Sequence, residues 1–196
     1  FISHVKAGDK VKAGDLLTLS HDSTILGDNT IGGLSFPDSA RSVAPGVKIL
    51  VDDGKIGLVV KEICGKDVLC EVLNDGKISN HKSLNVPNVE IDMPYLSKVD
   101  ISDIEFGCAQ DVDFIAASFV RCAQDVLDVR EILKRCGKEK IMIIAKIENM
   151  QGIKNVESIL EVADGLMVAR GDMGVEVDFD MLPSIQKDMI SKCYRA

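Results

Sequence analysis

Three charged side chains stand where apolar, strand-like runs end. The run 140–147 (KIMIIAKI) is followed by Glu148 and Asn149, so Lys146 and Glu148 are two residues apart. An extended backbone turns residues i and i+2 to the same side, which places this ammonium and this carboxylate on one face. The run 165–169 (GLMVA) continues into Arg170-Gly171-Asp172-Met173-Gly174, an acid leaving a strand together with two glycines. Exposed backbone N–H groups in such a turn can hold an anion. Glu148 and Asp172 are hard oxygen ligands suited to Mg²⁺ or Mn²⁺ with positions left open for substrate oxygens. Lys146 could then stabilise negative charge that develops in a transition state. A plainer alternative is a structural Lys–Glu pair beside an ordinary loop aspartate, and spacing leaves both readings open.

Other candidates carry less chemistry. Val51-Asp52-Asp53-Gly54 reads most simply as a hairpin turn, and Lys82, after Ser79-Asn80-His81, as a solvated charge. His4 and His21 have no partner at metal-ligand spacing and read as surface residues. Gly32-Gly33 lacks the further Gly or the Lys-Ser/Thr of a phosphate-binding loop. A third strand-like run, 113–120 (DFIAASFV), ends at Ser118-Phe119-Val120-Arg121.

These residues depend on two stretches of different texture. Residues 1–87 alternate short apolar runs (16–19, 48–51, 56–60, 68–73) with turn signals at Ala13-Gly14-Asp15, Leu26-Gly27-Asp28, Asp53-Gly54 and Asn74-Asp75-Gly76. That pattern predicts a small antiparallel β-barrel or sandwich. Residues 88–196 change period: three nearly continuous apolar runs suit parallel strands buried on both faces. Helical stripes lie between and after them, at Val126, Val129, Ile132 and Leu133, over 155–162, and at Leu182, Ile185, Met189 and Cys193. Ser97 with Asp100 is placed to cap an earlier helix. Strand–helix repetition means α/β units with right-handed crossovers. Three units fall short of a closed eight-stranded barrel of about 250 residues. A first residue that is Phe, and a last helical stripe with no stop signal before Tyr194-Arg195-Ala196, read as a piece of a longer chain.

Composition narrows the partners. The formal net charge is −8, which opposes non-specific binding to nucleic acid or anionic membrane. No apolar stretch is long enough to predict a transmembrane helix. Six scattered cysteines without a C-x-x-C pair, and three histidines, fit free thiols in a reducing cytoplasm better than a disulfide frame or a zinc site. Open strand edges in the second stretch predict self-association of the isolated chain.

The segments 144–149 (IAKIEN), 164–176 (DGLMVARGDMGVE) and 110–119 (QDVDFIAASF) closely resemble pyruvate kinases, as do Val51-Asp52-Asp53-Gly54 and the run 82–87 (KSLNVP). The resemblance implies a partial (β/α)8 TIM barrel of about three βα units, residues 88–196, preceded by a small β-barrel lid (B) domain, residues 1–87. It implies phosphoryl transfer from phosphoenolpyruvate to ADP, giving pyruvate and ATP, with Mg²⁺ (or Mn²⁺) and K⁺, the K⁺ ligands lying on strands outside these residues. Glu148 and Asp172 match the metal carboxylates, and Lys146 the catalytic lysine. Ala169, Arg170, Gly171 and Asp172 match the segment that meets the substrate carboxylate. Lys82 matches a lysine near the nucleotide phosphates, and Asp53 an acid of lid closure. Ser83 and Asn88 stand where the family often has Gly. A cytoplasmic homotetramer is the implied assembly, with the isolated chain inactive. A metal-dependent, enolate-forming lyase or aldolase and a non-catalytic scaffold are the rival readings.

Overall fold

A computed structural model describes residues 2–3, 9–35 and 38–196; His4 lies outside the described residues. The chain forms two compact units, Phe1–Asp92 and Met93–Ala196.

In the first unit, seven strands form one sheet: β1 (Ile2–Ser3), β3 (Leu16–Ser20), β4 (Ile31–Leu34), β5 (Lys48–Val51), β6 (Ile56–Cys64), β7 (Asp67–Val72) and β9 (Leu84–Asn85). β2 (Asp9–Val11) pairs with β8 (Gly76–Ile78) as a separate ribbon. The sheet order is β1-β4-β3-β7-β6-β5-β9. An isolated antiparallel bridge joins Ile2 to Lys82, two residues before β9, so the two ends of the sheet meet. Alternate residues Leu17 and Leu19, Ile49 and Val51, Leu58 and Val60, and Val68, Cys70 and Val72 point inward and are buried. This is the period-two pattern that one packed face requires.

Two local expectations change. β3 and β4 pair in parallel, so the sheet is not wholly antiparallel. Asn74-Asp75-Gly76 is not a hairpin: β7 and β8 pair with different strands. The Asn74 side chain is instead tied to the start of β6, accepting from Gly57 N–H at 2.8 Å and donating to the Lys55 carbonyl at 2.8 Å. The tight hairpin lies at Gly65-Lys66 between β6 and β7, with Gly65 at φ +67°, a first-position glycine that a search for Asp-Gly pairs passes over.

The second unit alternates helix and strand: α1 (Lys98–Ala109), β10 (Phe114–Ala117), α2 (Ala123–Arg135), β11 (Met142–Ile147), α3 (Met150–Lys154), α4 (Val156–Leu160), β12 (Gly165–Val168), α5 (Arg170–Glu176) and α6 (Leu182–Cys193). The strands are parallel in the order β10-β11-β12, with Ala116 beside Ile144 and Lys146 beside Met167. Ser97 opens α1 as expected: its side chain accepts from Asp100 N–H while Asp100 accepts from Ser97 N–H. Such a reciprocal cap is worth about 1 kcal/mol. One face of β11 buries Ile143, Ala145 and Ile147 together with Val126, Val129 and Leu133 of α2.

The helix expected over 155–162 is α4, and a further short helix, α3, precedes it. They break at Asn155, whose φ/ψ of −99°/10° is not helical and whose side chain donates to the Arg121 carbonyl at 2.9 Å. In α6, Leu182, Ile185 and Met189 are buried as the stripe predicts, but Cys193 is exposed.

Candidate active site

Parallel register brings the predicted residues to one end of the three-stranded sheet. Lys146 is the penultimate residue of β11, and Glu148 follows the strand directly. Ala169, after β12, donates its N–H to the Ile147 carbonyl at 3.3 Å, which sets it level with Glu148. From Ala169 the chain turns into α5, whose first turn carries Asp172.

Glu148 is fully buried, an expensive position for a carboxylate unless it is bonded and compensated. Its Oε2 accepts the Phe119 backbone N–H at 2.9 Å. Its Oε1 meets Lys146 Nζ at 2.6 Å as an ion pair, yet no described group satisfies Oε1 with hydrogen-bonding geometry. Lys146 also donates to Ser118 Oγ at 3.1 Å and keeps 23% of its side chain exposed. A buried oxygen with an open lone pair, beside a lysine whose side chain is partly exposed, differs from a closed structural ion pair.

Asp172 is exposed and, among the described residues, has no hydrogen-bond or ion-pair partner. No cluster of three or more His, Cys, Asp or Glu is positioned to hold a metal among the described residues. A hexacoordinate Mg²⁺ does not need one, because it is commonly held by one or two carboxylates plus waters and substrate oxygens. The donors here are hard oxygens, and one is buried and unsatisfied, so the pair Glu148 and Asp172 fits Mg²⁺ or Mn²⁺. Arg170 is exposed, and a Cβ built on Gly171 would meet nothing within 4 Å, so the approach to the α5 N-terminus is open.

Residues that spacing did not single out hold this arrangement. The Tyr95 hydroxyl donates to the Ser118 carbonyl at 2.8 Å. Burial pushes its phenol well above the ordinary range, with Asp125 adding to the effect, so it remains a donor. Arg121 lies over the Tyr95 ring at 5.7 Å. It also binds Asp125 through Nε at 3.1 Å and Nη2 at 3.0 Å, and the Met93 carbonyl through Nη1 at 3.0 Å. Ser118 was legible in principle: extending the β10–β11 register by one residue sets it beside Lys146. Tyr95 carries no such signal, because it precedes α1 and reaches Ser118 only through tertiary packing.

Lys82 and Asp53 belong to the first unit. Lys82 is not a freely solvated charge: Nζ lies 2.9 Å from Asp52 Oδ1, and its side chain is only 32% exposed. Asp52 and Asp53 take φ of 53° and 56°, followed by Gly54 at 85°, in the loop joining β5 to β6. Ser83, at the position where Gly was expected, donates its hydroxyl to Asp53 Oδ1 at 2.7 Å and accepts from Asp53 N–H at 3.2 Å. Asn88, the other departure, sits at φ 62°, a left-handed conformation that Asn tolerates better than most residues. His21 is likewise engaged, with Nδ1 2.7 Å from Asp67 Oδ1.

The Lys82 contact, with Lys55 second, holds the Asp52 carboxyl below its ordinary value of 3.8. A depressed folded-state pKa contributes stability that is present above the unfolded value and lost as pH falls through the folded one. Asp52→Asn should therefore lower the melting temperature near neutrality, and that difference should shrink below about pH 4. Thermal melts of both proteins between pH 7 and pH 2.5 check this; a difference that stays constant with pH contradicts it.

A family model described as pyruvate kinase, barrel domain, matches residues 2–196. A pyruvate kinase of Clostridium perfringens (strain 13 / Type A) is 49% identical over 187 residues, covering 95% of this chain and 40% of the relative. One of Clostridium acetobutylicum is 45% identical over 184 residues, covering 94% of this chain and 39% of the relative. One of Staphylococcus haemolyticus is 50% identical over 162 residues, covering 82% of this chain and 28% of the relative. The chain thus spans well under half the length of these curated relatives.

Proposed function

The chain belongs to the pyruvate kinase family, and from that premise we propose that it serves transfer of a phosphoryl group from phosphoenolpyruvate to ADP, giving pyruvate and ATP. The observation that carries this reading is the buried Glu148 at the end of β11, with Oε1 unsatisfied and Lys146 beside it. In this reading residues 88–196 are about three βα units, the fourth to sixth, of a (β/α)8 TIM barrel. Residues 1–87 are a lid over the nucleotide. The enzyme is a cytoplasmic homotetramer.

Glu148 and Asp172 hold Mg²⁺ or Mn²⁺, which when bound supplies positive charge to the substrate's oxygens. K⁺ is the family's second cation, and no residue of this chain is assigned to it. The backbone at Ala169, Arg170 and Gly171 receives the substrate carboxylate, and Asp172 closes that edge. Lys146 donates to the phosphoryl group as its bond to the enol oxygen breaks and the bond to the terminal oxygen of ADP forms. In the loose transition state negative charge builds on the departing enol oxygen, so an ammonium anchored by Ser118 and Glu148 that reaches this oxygen and the phosphoryl group stabilises the transition state more than the ground state. Lys82 meets the nucleotide phosphates, and Asp53 takes part in lid closure. The enolate left behind takes up a proton to give pyruvate.

The comparisons lend nothing to the lyase or scaffold readings. The test is pyruvate formation, coupled to lactate dehydrogenase, by a protein of the family's full length carrying these 196 residues. Mg²⁺- and ADP-dependent pyruvate release is expected. Pyruvate release without ADP, or none, overturns the assignment.

A further inference from the structure

The Ser118 carbonyl and the Phe119 N–H are the two ends of one peptide group, and each is gripped by a different side chain. Tyr95 O–H donates to the carbonyl at 2.8 Å, and the N–H donates to Glu148 Oε2 at 2.9 Å. Phe119 pays for this orientation with φ +53°, a left-handed conformation unfavourable for a bulky residue and kept only where surrounding contacts over-determine it. Those contacts are present: Val120 N–H donates to the Lys146 carbonyl at 3.3 Å, and Asn155 donates to the Arg121 carbonyl at 2.9 Å. Rotating the peptide would withdraw the N–H from Glu148 and turn a carbonyl oxygen toward a buried carboxylate. Donation to the carbonyl also polarises the amide and strengthens its N–H as a donor.

We infer that Tyr95 is a positioning residue for Glu148, acting through the Ser118–Phe119 peptide. By fixing Oε2 on the Phe119 N–H, it leaves Oε1 directed to Lys146 and to the cation. The inference rests on the reading of Glu148 as a cation ligand. Its structural part, the polarised peptide, can be measured without that reading.

Tyr95→Phe removes only the hydroxyl and leaves a ring under Arg121. The expected result is a cooperative melt, an upfield shift of the Phe119 amide proton, and exchange of that amide at least about tenfold faster, with amides of β6 unmoved. Mn²⁺ affinity, followed by electron paramagnetic resonance of the free ion, should fall about 3- to 10-fold, as for loss of one hydrogen bond. Should that variant not fold, 3-fluorotyrosine incorporation in a Tyr194→Phe background labels Tyr95 alone, since the chain has two tyrosines. A more acidic O–H donates more strongly, so the Phe119 amide should then move downfield. A Phe119 amide unmoved by either change overturns the inference. So does an amide that moves while Mn²⁺ affinity stays fixed, provided Glu148→Gln weakens Mn²⁺ binding. If Glu148→Gln also leaves Mn²⁺ affinity unchanged, the cation-site reading fails and the positioning role falls with it, while the amide shift still reports the peptide link.

Discussion

Lys146→Met, in a protein of the family's full length carrying this sequence, lowers the phosphoryl-transfer rate constant by about 100- to 1,000-fold with Mn²⁺ still bound. The magnitude is that of removing one donor aimed at charge that develops in the transition state. The lysine is held by Ser118 Oγ at 3.1 Å and faces Glu148 Oε1 at 2.6 Å, while its side chain stays 23% exposed. Three N–H donors on one ammonium allow an anchor and a substrate contact together. Methionine keeps the length of the aliphatic stem and loses every donor. It also leaves the buried Glu148 without its cation, so the variant should melt earlier and gain rather than lose attraction for a divalent ion. Steady-state kinetics separate the effects: kcat falls and KM for the metal does not rise. A Lys146→Met protein within tenfold of the parental rate contradicts the role given to this side chain.

Removing either carboxylate should have the opposite signature. Glu148→Gln and Asp172→Asn each weaken Mn²⁺ binding by at least about 10- to 100-fold, with turnover lost in step. Their stabilities should differ. Glu148 is fully buried against Lys146, and a neutral amide there leaves the ammonium without its counter-charge. That variant should melt well below the parent. Asp172 is exposed and bonded to no described residue, so Asp172→Asn should leave the melting temperature nearly unchanged. Loss of metal without loss of stability at Asp172 marks a residue kept for its ligand. Retention of Mn²⁺ by both single variants would remove the cation site from the account.

The legible part of the fold is the part governed by period. β5 occupies the predicted 48–51, and α2 buries the predicted Val126, Val129, Ile132 and Leu133. Pairing partners are another matter. Nothing local in Leu26-Gly27-Asp28 states that the strands on either side of it run parallel, and Asn74 acts through a bond to a residue 17 positions away. Helix breaks decided by tertiary bonds are hidden in the same way. Asn155 interrupts the α3–α4 stretch because its side chain is used by Arg121, across 34 residues.

The site shows the same division. Lys146, Glu148 and Asp172 are readable because strand ends and i, i+2 spacing place them. The family resemblance supplied roles that spacing left open. Ser118 follows from register once β10 is set beside β11. The left-handed Phe119 does not, since a bulky residue gives no hint of positive φ, and its partner Tyr95 lies 23 positions before Ser118. Lys82 looked like a solvated charge because its neighbour Asp52 is distant in sequence and brought close by the turn after β5.

The most direct measurement follows the phosphoryl group itself. A full-length family protein carrying these residues is mixed with phosphoenolpyruvate, ADP and Mg²⁺ in a phosphorus NMR tube. The phosphoenolpyruvate resonance should be replaced one-for-one by the terminal phosphate of ATP, and Glu148→Gln should stop the exchange. Phosphoenolpyruvate converted to inorganic phosphate, or ATP formed at an undiminished rate by the Glu148→Gln protein, would contradict the proposed function.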